Sequence, residues 1–210
     1  MYERYIKRML DVVISIVCLV VLSPVLLLIA LAIKIDSKGP VLFKQKRAGK
    51  GKVLFDIYKF RTMSIDAPKD VATNDLRGAK SFITRVGKVL RVTSLDELPQ
   101  LINILKGEMA LIGPRPALWN QYDLLQWRDK FKANDVRPGL SGWAQVNGRD
   151  YLSRDLEQKA HRDGEYAQNI SFWFDLKCVL LTLVKVVNRQ GIVEGRESKS
   201  YPIEGGEEKR

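Results

Sequence analysis

From Met9 to Ile33 the chain is so densely apolar that no polar face can be drawn around it, and only Asp11 is charged. About 20 such residues suffice for a helix to span a bilayer. Ser23-Pro24 interrupts the run near its middle. Proline offers no N–H and its ring crowds the preceding turn, so the pattern predicts two helical pieces joined at a bend. Arg4, Lys7 and Arg8 precede the run, and Lys34, Lys38, Lys44, Lys46 and Arg47 follow it. Basic flanks favour the cytoplasmic side of a membrane, and here both ends carry them. A re-entrant helix–break–helix satisfies both flanks; one kinked span is the alternative. The run is too long for a cleaved signal peptide, and no small-residue cleavage site follows it.

Beyond the anchor the pattern shortens. Val41 to Phe60 reads as two strands joined at Gly49 and Gly51. Lys46, Arg47, Lys50 and Lys52 load the tip, which is either simply solvated or touches anionic headgroups. Ser64 to Gly78 is a polar loop. Ser81 to Gly113 predicts two helices with a break at Val92 to Ser94. Leu98, Leu101, Ile102 and Leu105 recur at helical spacing, Pro99 sits in the first turn, and Gly107 ends the second helix. GPRPALWNQY and VRPGLSGWAQVNGRD read as loops. Ser171 to Gln190 is a helix with a broad apolar face, either a core helix or an interfacial one. From Glu194 onward the chain is charged and Gly-containing, the composition of a flexible tail. No internal repeat is present.

Composition narrows the classes. The chain has 210 residues, 46% hydrophobic and 28% charged, which predicts a globular body with a real core. A net charge of +11 calls for an anionic partner. Nucleic acid fits poorly, because the apolar segment is long and no nucleic-acid motif accompanies it. Cys18 and Cys178 lie far apart in apolar surroundings, which reads as free thiols rather than a disulfide framework. His161 is the sole histidine, which argues against a His-based metal site, and a structural or solvated role is expected for it.

The stretch TSLDELPQL, Thr93 to Leu101, holds the adjacent carboxylates Asp96 and Glu97. Ser94-Leu95-Asp96-Glu97 matches a capping box, in which Ser94 caps the helix and Glu97 reaches back. A helix start is also an anion site, and paired carboxylates hold Mg²⁺ through hard oxygen ligands. Arg61, Arg85, Arg91, Arg115, Arg137 and Arg149 lie in or near the same motifs, and arginine suits bidentate phosphate binding. Carboxylates, arginines and an anchor together point to phosphoryl transfer at a membrane surface.

The interrupted N-terminal segment, KFRTM, SLDELPQL, NILKGEMALIGPRP, RPGLSGWAQVNGR and the C-terminal DLK helix occur in one order. Together they resemble the bacterial sugar transferase family, the monotopic polyprenol-phosphate phosphoglycosyl transferases. The likeness runs from about Tyr2 to about Glu194. In size the chain is similar to the small, diacetylbacillosaminyl-phosphate transferase type, without the extra N-terminal domain of larger members. The resemblance implies a mainly α fold with a small β-hairpin. It implies residues 1–38 as a re-entrant anchor broken at Ser23 and Pro24. Residues 39–193 would form a cytoplasmic catalytic domain with membrane-interface helices, and 194–210 a charged tail.

It further implies transfer of a sugar-1-phosphate from a UDP-sugar to undecaprenyl phosphate, giving the lipid-diphosphate sugar and UMP. The route is ping-pong and uses Mg²⁺. Asp96 would be the nucleophile, Glu97 the neighbouring acid, and both would approach the metal. Lys59, Arg61, Arg91, Arg115, Arg137 and Arg149 would bind phosphate. Asp163, Tyr166 and Asp175 match a C-terminal pattern with structural roles by default. The expected location is the cytoplasmic face of a bacterial inner membrane, among membrane lipids, with downstream glycosyltransferases and a second copy as further partners. A non-catalytic scaffold for glycan-assembly enzymes is the competing reading.

Overall fold

One missing amide hydrogen shapes the N-terminal segment. In the computed structural model, which describes residues 1–68, 79–148 and 155–187, helix α1 (Lys7–Val21) follows a wider first turn at Tyr2–Ile6 and stops before Leu22. Helix α2 (Ser23–Asp36) restarts with Pro24 in its first turn. The carbonyl of Val20 would ordinarily accept from residue 24, which has no N–H; the Ser23 hydroxyl donates to it instead at 2.8 Å. The two pieces bend by 63°. Among the described residues no single helix is long and apolar enough to cross a membrane.

The two helices are turned inside out. Lys7, Asp11 and Ser15 face inward along one stripe of α1, while Ile16, Val17, Val20, Val21, Leu27, Leu28, Leu31 and Ile35 are exposed. Only Ile29 and Ile33 of α2 are buried, against Phe60 and Leu90.

Strands β1 (Leu42–Ala48) and β2 (Leu54–Phe60) pair antiparallel from Leu42↔Phe60 to Ala48↔Leu54. Gly51 turns the hairpin at φ 62°, open to solvent on its Cβ side. After a short helix α3 (Ala79–Phe82) comes α4 (Arg85–Thr93). Thr84 caps α4, its Oγ1 accepting from the Gly87 N–H at 2.9 Å. Helix α5 (Gln100–Lys106) ends at Gly107, φ 86°, as the sequence predicts.

A second, parallel pair joins β3 (Ala110–Ile112) to β4 (Gly139–Ser141). The sequence pattern assigned a strand to neither stretch: it placed Ala110–Ile112 past the helix end at Gly107 and Gly139–Ser141 in a loop. Helices α6 (Tyr122–Lys130), α7 (Trp143–Val146), α8 (Leu156–Gln168) and α9 (Phe172–Val187) complete the body. The fold is mainly helical with a small antiparallel hairpin, as expected. The expected tail, 194–210, lies outside the described residues.

Two devices fix α5, and so the turn before it. Leu101 and Ile104 are buried with Phe55, Ile57 and Met109, each such side chain contributing about 1.5–3 kcal/mol. Asn103, fully buried, accepts from the Tyr58 N–H at 2.9 Å and donates to the Asp56 carbonyl at 2.8 Å. It thereby stitches α5 to β2. At the far end, Arg8 of α1 donates to the carbonyls of Ile104 (2.5 Å) and Leu105 (2.9 Å). A cation there meets both the orphan carbonyls and the negative end of the helix dipole.

A second polar knot joins the chain ends. Asp175 accepts from Tyr2 Oη (2.6 Å), Lys7 Nζ (2.7 Å) and Tyr166 Oη (2.6 Å). The Ile112 carbonyl oxygen also lies 3.0 Å from Tyr166 Oη and shares its single proton with Asp175. These are structural contacts for Tyr166 and Asp175. His161 is exposed, edge-on to Phe131 at 5.3 Å, and both cysteines are free thiols.

Candidate active site

Asp96 and Glu97 lie in a single 3₁₀ turn, Leu95–Glu97, between α4 and α5. The capping-box expectation is corrected here. Ser94 adopts left-handed φ 57°, ψ 15°, closes α4 rather than opening α5, and makes no side-chain capping bond. Helix α5 begins only at Gln100, so the carboxylates stand before the helix and not in its first turn. Glu97 reaches sideways instead of back. Its Oε1 accepts from Lys59 Nζ at 2.8 Å and Arg115 Nη2 at 2.6 Å, and Oε2 faces Arg115 Nη1 at 3.4 Å. The Glu97 side chain is only 12% exposed, so water screens these pairs little.

The chain brings these groups together by local logic. Strand β2 carries Lys59, the last turn of α4 carries Arg91, and the stiff Pro114-Arg115-Pro116 segment after β3 carries Arg115. Arg91 Nε donates to Thr62 Oγ1 at 2.8 Å. That approach needs Gly87, where a Cβ would stand 2.1 Å from the Thr62 carbonyl oxygen.

Asp96 differs from its neighbour. Its carboxylate is half-buried and makes no hydrogen bond among the described residues. Burial pushes its carboxyl above the usual carboxylate range and Glu97 adds to this, while Lys59, Arg91 and Arg115 pull it back down. Burial holds the Lys59 ammonium below its ordinary value against the opposing pull of Glu97. Glu97, in turn, holds the Arg115 guanidinium up. The result is an unbonded carboxylate facing three cations, beside a second carboxylate already saturated with partners.

Other expected phosphate ligands are placed elsewhere. Arg61 is buried and donates to the Lys38 carbonyl and, at 2.7 Å, to the Ser37 carbonyl, tying down the end of α2. Exposed Arg137 donates from Nε to the Gly107 carbonyl at 3.0 Å. Both arginines answer backbone carbonyls near helix ends rather than the dyad. Arg149 lies outside the described residues.

Two cations at this site, Arg128 and Lys159, escaped the sequence pattern, and a third, Arg47, was expected at the hairpin tip and instead turns to the Pro116 carbonyl. Arg128 is bound twice by Asp163 Oδ2, at 2.9 Å from Nε and 2.6 Å from Nη2, and donates to the Arg115 carbonyl at 2.9 Å. Arg47 donates from Nη1 to the Pro116 carbonyl at 3.1 Å and from Nη2 to Gln45 at 2.5 Å. Lys159, on α8, feels Arg128, Asp163, Arg115 and Arg47. The signals were available. Strand alternation turns Gln45 and Arg47 inward and Lys44 and Lys46 out, and Lys159 and Asp163 share one face of α8 at i, i+4.

No cluster of three or more His, Cys, Asp or Glu side chains suited to a metal occurs among the described residues. Mg²⁺ does not need one, because it commonly takes one or two carboxylates and completes its shell with water and substrate phosphate. Asp96, with its oxygens unbonded, fits that mode. Glu97, expected as a second ligand, has both oxygens committed to Lys59 and Arg115.

Comparison with known proteins places this geometry. The sequence profile of the family described as "Bacterial sugar transferase" matches residues 2–189. The UDP-glucose:undecaprenyl-phosphate glucose-1-phosphate transferase of Escherichia coli is 42% identical over 193 residues, covering 87% of this chain and 40% of that protein. The UDP-N-acetylgalactosamine-undecaprenyl-phosphate N-acetylgalactosaminephosphotransferase of Aeromonas hydrophila is 40% identical, covering 89% of this chain and 45% of its own length. A Caulobacter vibrioides protein with the same name as the E. coli one is 45% identical, covering 84% and 68%. The chain thus spans less than half the length of the first two relatives. The match extends over nearly all of the chain, the bent N-terminal helix pair, the dyad and the C-terminal helix included, and the chain belongs to the bacterial sugar transferase family.

Proposed function

We propose that this chain transfers a sugar-1-phosphate from a UDP-sugar to undecaprenyl phosphate, releasing UMP and forming undecaprenyl-diphosphate-sugar. The observation that carries the reading is the asymmetry of the dyad: Asp96 is unbonded and faces Lys59, Arg91 and Arg115, while Glu97 is locked to two of those same cations. In the first displacement an Asp96 oxygen attacks the sugar-bearing phosphorus. The bond to the bridging oxygen breaks, its electron pair stays with UMP, and a phosphosugar remains on Asp96. In the second, an oxygen of undecaprenyl phosphate attacks that phosphorus and Asp96 leaves as a carboxylate. Splitting one transfer into two displacements is the gain of covalent catalysis.

Glu97 acts in this scheme as the ionic hub that holds Lys59 and Arg115 over the phosphoryl oxygens, where preorganised cations stabilise developing charge. Mg²⁺, held by Asp96 and the donor phosphates, would neutralise phosphoryl charge. The printed names of the relatives support the reaction class and the two substrates. They differ in the sugar, glucose or N-acetylgalactosamine, so a panel of UDP-sugars is the proper donor screen.

The bent pair α1–α2 is proposed as a re-entrant anchor on the cytoplasmic face of the inner membrane. Its exposed apolar surface, with the polar stripe Lys7, Asp11 and Ser15 turned to the protein, supports this. The decisive assay is UMP release by purified protein with Mg²⁺ and a UDP-sugar panel. Sustained release is expected only with undecaprenyl phosphate, with a phosphosugar adduct on Asp96 seen by intact mass. A fully active Asp96→Asn variant would overturn the assignment.

A further inference from the structure

The site carries more positive charge than its own carboxylates answer. Lys59, Arg91, Arg115, Arg47, Lys159 and Arg128 stand against Asp96, Glu97 and Asp163, six cations to three carboxylates among the described residues. The pairs account for only part of it. Glu97 takes Lys59 and Arg115, and Asp163 takes Arg128. Arg47 and Lys159 have no carboxylate partner among the described residues. The Arg47 guanidinium is fixed by the Pro116 carbonyl and Gln45, yet its Nε is buried and makes no hydrogen bond. The Lys159 ammonium makes no hydrogen bond among the described residues.

Like charges gathered in a half-buried place repel, and a sequence keeps them at a cost in stability. An anion removes that cost. We propose that Arg47 and Lys159, with Arg115, form a leaving-phosphate subsite that holds the phosphate of the departing nucleoside monophosphate. The subsite presupposes the phosphosugar transfer proposed above and names residues for its first half.

The placement fits that task. Arg91 and Lys59 gather at Asp96, where the sugar phosphate is taken. Arg47 reaches the Pro116 carbonyl next to Arg115, and Lys159 stands one turn of α8 before Asp163, whose partner Arg128 donates to the Arg115 carbonyl. Burial and the neighbouring cations push the Arg47 guanidinium down to about 10 and the Lys159 ammonium to about 8. Both remain charged at neutral pH, in surroundings where a counter-charge is favourable. The chemistry supplies one. While joined in the diphosphate, the nucleoside's phosphate bears one negative charge. When the bond between the sugar-bearing phosphorus and the bridging oxygen breaks, that oxygen keeps the electron pair and the phosphate becomes a dianion. Cations already in place there stabilise the transition state more than the bound donor, which is what accelerates a step.

The test uses the purified full chain in detergent and calorimetric titration with UMP, with uridine as the uncharged control. Lys159→Met and Arg47→Gln are each expected to weaken UMP binding about tenfold or more, the loss of a charge-assisted contact. Lys159→Arg is expected to restore most of it, with the KM for undecaprenyl phosphate changing less than about twofold by the same reasoning. Melting temperatures identify any variant that fails to fold, and the other variant then carries the measurement. Unchanged UMP binding in the folded variants overturns the subsite. So does an effect confined to the KM for undecaprenyl phosphate, which would assign these cations to the acceptor. Failure of the wild-type chain to release UMP from any donor sinks the transferase reading instead. The UMP titration does not depend on turnover, so the two failures are distinct.

Discussion

Replacing Asp163 with Asn should damage the protein twice, once in stability and once at a distance. Arg128 gives Asp163 Oδ2 two hydrogen bonds, at 2.9 and 2.6 Å, and the two side chains are 3% and 2% exposed. Removing one partner of such a pair leaves a charge stranded without water, at about 3–5 kcal/mol. Asn keeps the shape and one acceptor, so the lower end applies, about 3 kcal/mol by the same rule. At roughly 2–4 °C per kcal/mol for a domain of this size, the midpoint should fall by about 6–12 °C. The second effect runs through Arg115, whose carbonyl accepts from Arg128 Nη2 at 2.9 Å and whose side chain grips Glu97 at 2.6 Å. A displaced Arg128 loosens Arg115, and kcat should fall about tenfold, the loss of about 1.4 kcal/mol of transition-state stabilisation. Arg128→Met/Asp163→Leu separates the two. Apolar replacement of a buried pair is often neutral or stabilising, so stability should return. The donor to the Arg115 carbonyl stays missing, so activity should not. Thermal melts in detergent and UMP-release rates read both quantities. A single variant melting within about 1 °C of wild type, well under the expected shift, or a fully active double variant, refutes the reasoning.

Asp96→Asn removes the proposed nucleophile, and UMP release should drop by about three orders of magnitude or more while the fold survives; circular dichroism and the rate assay together check this. Glu97→Gln strips Lys59 and Arg115 of their shared anion, so kcat should fall about 100-fold, as when a preorganised electrostatic contact is lost. The Lys59 ammonium, already held down by burial, should drop further, seen as earlier loss of activity on raising the pH. Gly87→Ala puts a Cβ 2.1 Å from the Thr62 carbonyl oxygen and 2.7 Å from Thr62 Cα. Backbone cannot yield as a side-chain tip does, so urea denaturation should show a loss of about 1–3 kcal/mol. Lys159 sets a pH signature. Its folded value is lowered from 10.5 to about 8, so its charged form costs stability below pH 8 and that cost is relieved as pH rises toward 10.5. At about 1.4 kcal/mol per pH unit, reduced for partial exposure, the ligand-free protein should gain about 1–2 kcal/mol across that window relative to Lys159→Met. Equal pH–stability curves for the two proteins would refute it.

What the sequence made legible was local. The bend at Ser23-Pro24, the hairpin around Gly49 and Gly51, the break at Ser94 and the stop at Gly107 each follow from the backbone demands of one or two residues. The pairing of Ala110–Ile112 with Gly139–Ser141 did not, because three-residue strands carry no periodicity and their partner is remote in sequence. The capping box failed for a conformational reason: a left-handed Ser94 belongs to the helix behind it. Arginines were legible as a class and illegible one by one. Arg61 and Arg137 have the same fork as Arg115, but the anion a fork meets is decided by tertiary neighbours. Two of these met backbone carbonyls and one met Glu97. Asp163 was marked only as part of a C-terminal pattern and Lys159 not at all; the packing of α6 on α8 gave them Arg128 and Arg115 to act on.

A helix on a water-facing surface hides its apolar stripe and shows its charges. Helix α1 hides Lys7, Asp11 and Ser15 and shows Ile16, Val17 and Val20. Two of those hidden polar groups are satisfied by the body. Lys7 meets Asp175 at 2.7 Å, and Asp11 accepts from the Leu111 N–H at 3.1 Å. Arg8 grips the last turn of α5 through the Ile104 and Leu105 carbonyls. The other end of α5 runs directly into the turn that carries Asp96 and Glu97. An anchor held to the body by buried charge cannot slide without stranding those charges, and each stranded one costs several kcal/mol. On the proposed membrane placement, the depth of α1 therefore fixes the height of Asp96 relative to the lipid surface. That is the coordinate a chain working on a lipid-borne phosphate has to hold constant.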